Sequence, residues 1–141
     1  MASLSDDRVR DFLSAGTRTG KVAWVAADGA PHVAPIWFVL DGDDLVFNTG
    51  SGTGKGRALA REGRASLVVD DQVPPYSFVK VDGTISLSDD SEMVRRFAAR
   101  IGGRYMGAER ADEYGERNGV PGELLVRLHP TKVTAGFDIA D

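Results

Sequence analysis

The sequence predicts a mainly β, α+β domain: a small antiparallel barrel of six to seven strands with short flanking helices. Three observations predict it. Apolar residues alternate over short runs, the period of a half-buried strand. Asp-Gly turn signals join the first runs through links too short for a crossover helix, so neighbours pair antiparallel. The helical patterns are inserted into a succession of strands and do not alternate with them one for one, which argues against a βαβ chain. Seven candidate strands in 141 residues suit closure into a barrel, and that length predicts one domain over 1–141.

The chain opens with an amphipathic helix over 5–14. Ser5 is placed to cap it, Asp6 and Asp7 favour its first turn, and Val9, Phe12 and Leu13 share one face. Strands follow at 21–27, 32–40 and 45–49, with turns at 28–31 and 41–44. Pro35 interrupts the second strand. A proline has no ladder donor, so this position belongs at a sheet edge or at a bend opened for a flat ligand. A short helix is predicted over 54–62, then a strand at 64–71, a stiff loop at 72–76 and a long strand at 77–88. In the helix predicted over 89–107, Met93, Phe97, Ile101 and Tyr105 recur every four residues and form one core-facing stripe. A second helical piece spans 109–118. Strands at 122–130 and 132–139 complete the pattern.

Composition excludes several function classes. The net charge of −4 lacks the excess of basic residues that marks a dedicated nucleic-acid binder. There is no cysteine, so disulfides, thiolate metal sites and cysteine nucleophiles are excluded. His32 and His129 stand 97 positions apart, with no zinc-ligand spacing. No apolar run reaches the ~18 residues of a membrane span, and the first residues lack a signal-peptide core. A cytoplasmic protein with no membrane or nucleic-acid partner is expected.

The stretch "TGSGTGKGR", residues 49–57, concentrates glycine, hydroxyl residues and cations. Glycine lets backbone N–H groups approach a ligand, and the helix that follows offers an anion-attracting N-terminus. Thr49, Ser51 and Thr53 offer hydroxyls, while Lys55 and Arg57 supply charge. A nucleotide-hydrolase phosphate loop does not fit. Aligned on Gly54-Lys55, Thr49 stands where the first glycine is required, and Gly56 where the magnesium-binding hydroxyl is required. Only eleven residues separate Lys55 from Leu67, short of a parallel crossover. A phosphate other than that of ATP is expected.

Four segments, in order, carry a resemblance: "DGAPHVAPIWF", "LVFNTGSGTGKGRAL", "VVDDQVPPYSFVKVDG" and "PTKVTA". Together they resemble the pyridoxamine 5′-phosphate oxidase-like split β-barrel proteins, and most the actinobacterial branch that uses the deazaflavin coenzyme F420. The similarity is richest over 20–83. It implies the FMN-binding type of split barrel, a homodimer, and a cofactor groove at the dimer interface. It implies that Lys55 and Arg57, with Thr49, Ser51 and Thr53, hold the cofactor phosphate. Pro35, Ile36, Trp37 and Phe38 would border the tricyclic ring through backbone and side chains. Asn48 would lie between ring and phosphate. Pro74, Pro75 and Tyr76 would approach the ring from the partner subunit. Gly54 and Gly56 beside Lys55, and the bulk of Trp37, depart from related sequences and keep FMN as the alternative cofactor.

The implied activity is hydride transfer from reduced F420 to a small conjugated or planar acceptor. Two alternatives remain: a carrier of F420 or a tetrapyrrole without turnover, and an FMN-dependent oxidase of pyridoxamine phosphate type. No catalytic residue is assigned. His32 reads as a strand-end residue, His129 as a turn residue, Asp70-Asp71 as a strand end and Lys80 as a solvated outward residue. Lys21, Arg57, Arg61 and Arg64 would suit the oligoglutamate tail of F420 if they form one rim.

Overall fold

A computed structural model describes residues 2–141. Helix α1 (Asp7–Ser14) is capped by Asp6, one step later than expected, whose carboxylate accepts from the N–H groups of Arg8 and Val9. Strands β1 (Gly20–Val25) and β2 (Pro31–Ile36) form the first hairpin, and β3 (Val39–Asp41) and β4 (Asp44–Gly50) the second. Helix α2 (Gly54–Glu62) leads to the hairpin of β5 (Arg64–Asp71) and β6 (Ser77–Ser88). Helices α3 (Ser91–Met106) and α4 (Ala111–Asn118) precede the last strand, β7 (Glu123–Gly136).

All seven strands join one antiparallel sheet in the order β2-β1-β5-β6-β7-β4-β3. Consecutive strands β2 and β3 therefore occupy opposite edges, and no ladder joins them among the described residues. The sheet curls round a core of residues from both halves, including Val22, Phe38, Phe47, Leu67, Val81 and Leu128. A barrel with one unpaired seam results, which is the split form of the predicted barrel.

The predicted strand 32–40 is corrected. It is two strands, parted at Trp37 and Phe38, because the chain there leaves one edge of the sheet for the other. Pro35 sits on edge strand β2, opposite Lys21, so its missing N–H leaves no inner ladder bond unmade. The predicted strands 122–130 and 132–139 are also corrected, to the single strand β7. Pro130 is accommodated opposite a register shift at Asp82/Gly83. A side chain at Gly83 would place its Cβ 2.2 Å from the carbonyl oxygen of His129, so glycine alone permits that approach. One strand split and two merged, so the count of seven survives.

Helix α3 packs across the outside of β3, β4 and β7. Val94, Phe97 and Ile101 meet Val39, Val46 and Leu125 there, with Met93 and Tyr105 at the margin. The stripe read from the sequence is this contact. Among the described residues no helix is long and apolar enough to cross a membrane.

Candidate functional site

Strand β4 ends at Gly50 and α2 begins at Gly54, so the glycine-rich loop is a strand-to-helix turn. Thr53 is the helix cap. Its Oγ accepts from the N–H of Gly56 at 3.0 Å and donates to the carbonyl of Gly50 at 2.7 Å. A Cβ on Gly56 would stand 2.2 Å from that same carbonyl oxygen, so the turn closes this tightly only around glycine. The N–H of Ser51 donates to Gly122 at 2.8 Å, tying the loop to the approach to β7. Arg57 donates to the carbonyl of Gly52 and braces the loop from outside.

Lys55 differs from the other cations of this region. It is half-buried, and among the described residues its ammonium has neither a hydrogen bond nor an ion pair. Burial lowers its pKa, and the nearby Glu123 carboxylate opposes that shift only in part. Glu123 is pushed the opposite way, upward, first by burial, with Lys55 opposing. A buried charge without a partner is costly, and an anion that approached Lys55 would relieve it.

Beside the loop lies a cavity of about 410 Å³. Pro35, Ile36, Trp37 and Asn48, all expected site residues, line it together. Thr19, Ala98, Ile101, Asn118 and Glu123 complete the wall. Trp37 stacks on Tyr105 with ring centroids 5.1 Å apart and planes 4° from parallel. The Tyr105 hydroxyl donates to the carbonyl of Arg18 at 2.8 Å and accepts from the N–H of Phe38 at 3.3 Å. Arg104 donates to the carbonyls of Phe38 and Leu13, each at 2.7 Å. The passage between the two sheet edges is therefore held rigidly, and with it the cavity wall.

Two other expectations change. The Phe38 ring is fully buried in the barrel core, so it does not border the cavity. The break between β2 and β3 turns it into the barrel core, while Trp37 packs on the other side against α3. The Thr53 hydroxyl has its proton committed to Gly50, so Thr53 shapes the loop and is not a free donor. Thr49 and Asn48 stand on successive residues of β4 and so on opposite faces. Both carry a buried oxygen without a hydrogen-bond partner, Oγ of Thr49 and Oδ1 of Asn48. Pro74, Pro75 and Tyr76 are not in the cavity wall. They form the β5–β6 turn, where the C-terminal segment is fastened by N–H donation from Ile139 to Tyr76 and from Ala140 to Pro75, each at 2.9 Å. Val73, Tyr76 and Ile139 leave large apolar surface exposed there.

The expected basic rim is partly neutralised. Lys21 pairs with Asp70 at 2.9 Å and Arg61 with Glu62 at 3.2 Å. Asp71 pairs with Arg18 and Lys80 with Asp82, so neither aspartate of the strand end is a free acid and Lys80 faces outward. His32 stacks on Trp24, its partner in the β1–β2 ladder, in a separate groove of about 510 Å³. That groove has no buried unpartnered polar atom among its walls. His129 bridges Asp44 and Ser86, each at 2.8 Å, along three neighbouring strands. That row has the order of a nucleophile, base and orienter, yet none of the three lines any of the cavities described here. Among the described residues no three His, Asp or Glu side chains converge as a metal site.

The residues present fit a phosphate-bearing planar cofactor. The loop supplies an unpaired cation, Asn48 lines the cavity and carries a buried oxygen without a partner, and Trp37 and Ile36 supply an apolar wall. Glu123 is the site residue that the sequence did not reveal. Nothing in "GELL" distinguishes a strand-opening glutamate from a solvated one.

The family model for pyridoxamine 5′-phosphate oxidase matches residues 5–135. The chain belongs to that family. Solved structures with the same fold include a conserved hypothetical protein, Rv2991, from Mycobacterium tuberculosis, 20% identical, with a TM-score of 0.83 over 99% of this chain and 87% of the other. An F420 reductase is 24% identical, with a TM-score of 0.69 over 88% and 94%. The haem storage protein HutZ from Vibrio cholerae is 20% identical, with a TM-score of 0.73 over 99% and 100%. No curated protein matches the chain at a significant level. The same fold thus occurs in an F420 reductase and in a haem storage protein.

Proposed function

We propose that this member of the family is a coenzyme F420-dependent oxidoreductase that reduces a small conjugated or planar acceptor. One observation carries the reading. A half-buried Lys55 without a partner stands in a glycine-rich loop that adjoins, through Glu123, the cavity walled by Pro35, Ile36 and Trp37. The likeness to an F420 reductase supports it. Lys55 and Arg57 hold the phosphate, with Ser51 beside them, while Thr49 stays buried on the face of β4 opposite Asn48. Trp37, braced by Tyr105, sets the plane in which a tricyclic ring lies, and Asn48 donates or accepts at its edge. Bound reduced F420 supplies the hydride. The chain's own work is to position that ring against the acceptor and exclude water.

The groove is shared between two copies in this reading. Tyr76, with Pro74 and Pro75, reaches the ring of the partner subunit, and the exposed apolar cluster of Val73, Tyr76 and Ile139 becomes interface. Light scattering at micromolar concentration is expected to give about twice 15.1 kDa. A value of 15.1 kDa there removes the shared groove.

The haem storage likeness favours a second reading, a tetrapyrrole or cofactor carrier without turnover. Against it, neither His32 nor His129 lines the cavity, so the chain offers iron no imidazole there. Parallel fluorescence titrations with F420, FMN and hemin separate the cases. Quenching by F420 at micromolar concentration, with faster oxidation of bound reduced F420 when a quinone is added, is the expected result. Saturable binding of FMN alone replaces F420 with FMN. Tight binding with no acceptor-dependent oxidation leaves the carrier.

A further inference from the structure

We infer that Glu123 makes the anion site selective for a phosphodiester, with one negative charge, over a phosphomonoester, with nearly two at neutral pH. The inference rests on the reading that the 49–57 loop holds the cofactor's phosphate, and it names the phosphate that loop prefers. Glu123 opens β7 directly opposite Gly50 in the β4–β7 ladder. Its Oε2 lies 3.3 Å from where a Cβ on Gly50 would stand, so the carboxylate leans over the last residue of β4, where the loop begins. It lines the cavity as well. Among the described residues it forms no ion pair within 4 Å, and Lys55 is the cation whose charge it feels.

Lys55 and Arg57 bring two positive charges to the loop and Glu123 one negative charge. The loop and Glu123 together carry one net positive charge, with Lys55 its unpaired cation and Arg57 also donating to the carbonyl of Gly52. A diester balances it. A monoester adds a second negative charge beside a carboxylate that is itself partly withdrawn from water, where like charges repel strongly. Burial raises the Glu123 pKa, the direction expected of a carboxylate partly withdrawn from water. The two candidate cofactors differ in this respect. FMN ends in a phosphomonoester, whereas F420 carries its phosphate as a diester between the ring's side chain and the tail.

The test compares the dissociation constants of FMN, F420 and riboflavin for the full chain and for Glu123→Gln, which keeps shape and removes charge. The variant is expected to bind FMN at least tenfold more tightly, to change F420 less than threefold, and to leave riboflavin unchanged. Glu123→Ala carries the same expectation and serves if the glutamine variant fails to fold. An equal change for FMN and F420, or none, overturns the selectivity. Lys55→Ala is measured beside it. If that variant weakens F420 while Glu123→Gln leaves the FMN-to-F420 ratio fixed, the phosphate loop stands and the role of Glu123 falls. If Lys55→Ala changes neither ligand, the loop reading itself falls.

Discussion

Lys55→Met is expected to raise the dissociation constant of the phosphate-bearing cofactor roughly ten- to hundredfold, and to raise the melting temperature of the free protein. The first effect follows from losing a hydrogen bond to a charged group, about 1.5–3 kcal/mol. The second follows from burial, which depresses the Lys55 pKa in the folded chain. Folding removes the charged form of the lysine from water without supplying a hydrogen-bond or ion-pair partner. Its penalty is full below the folded pKa, shrinks as pH rises, and vanishes above the unfolded value near ~10.4. Methionine keeps the apolar stem and sheds the penalty. The variant should therefore melt higher than the parent at pH 7 and converge with it at about pH 10–11. Titration and thermal melts check both halves. An unchanged dissociation constant removes Lys55 from the site, and a lower melting temperature means that the ammonium makes a stabilising contact after all.

Phe97→Ala is expected to destabilise the fold by about 3–5 kcal/mol, the cost of emptying a fully buried aromatic site. For a chain of this size that is a fall of roughly 10–20 °C in melting temperature. Phe97 is entirely buried between α3 and the outer face of β4 and β7. The guanidinium carbons of Arg96, Arg100 and Arg127 lie 4.9–5.3 Å from its ring centroid. Ala98 and Ile101, which line the cavity, ride on the same helix. Cofactor affinity should drop too, because the helix that forms one cavity wall loses its anchor. Urea denaturation gives the stability change directly. A cost below about 1 kcal/mol would mean that this seam collapses without a void. The two substitutions act in opposite senses on stability, Lys55→Met gaining it at the expense of binding and Phe97→Ala losing both.

The sequence by itself determined what is local. Asp-Gly links within a few residues of each strand specified the hairpins β1–β2 and β3–β4. A four-residue repeat from Met93 to Tyr105 specified the buried stripe of α3. The spacing of glycines and hydroxyls over 49–57 specified a strand-to-helix turn, and four ordered segments specified the family. Only the tertiary structure decided what depends on distant pairing. The break at Trp37 and Phe38 is invisible to alternation, because an apolar run reads the same whether it stays on one edge or crosses to the other. Phe38 therefore looked like a wall residue and is core. The join at Pro130 is equally invisible, because the bulge that admits it belongs to β6. Glu123 reaches the loop through its register with Gly50, far back in the chain, and Lys55 loses its water only when strands and helices close around it. Periodicity records which face of a segment avoids water. Which segments meet, and which charges are thereby left without partners, is settled by packing across the whole chain.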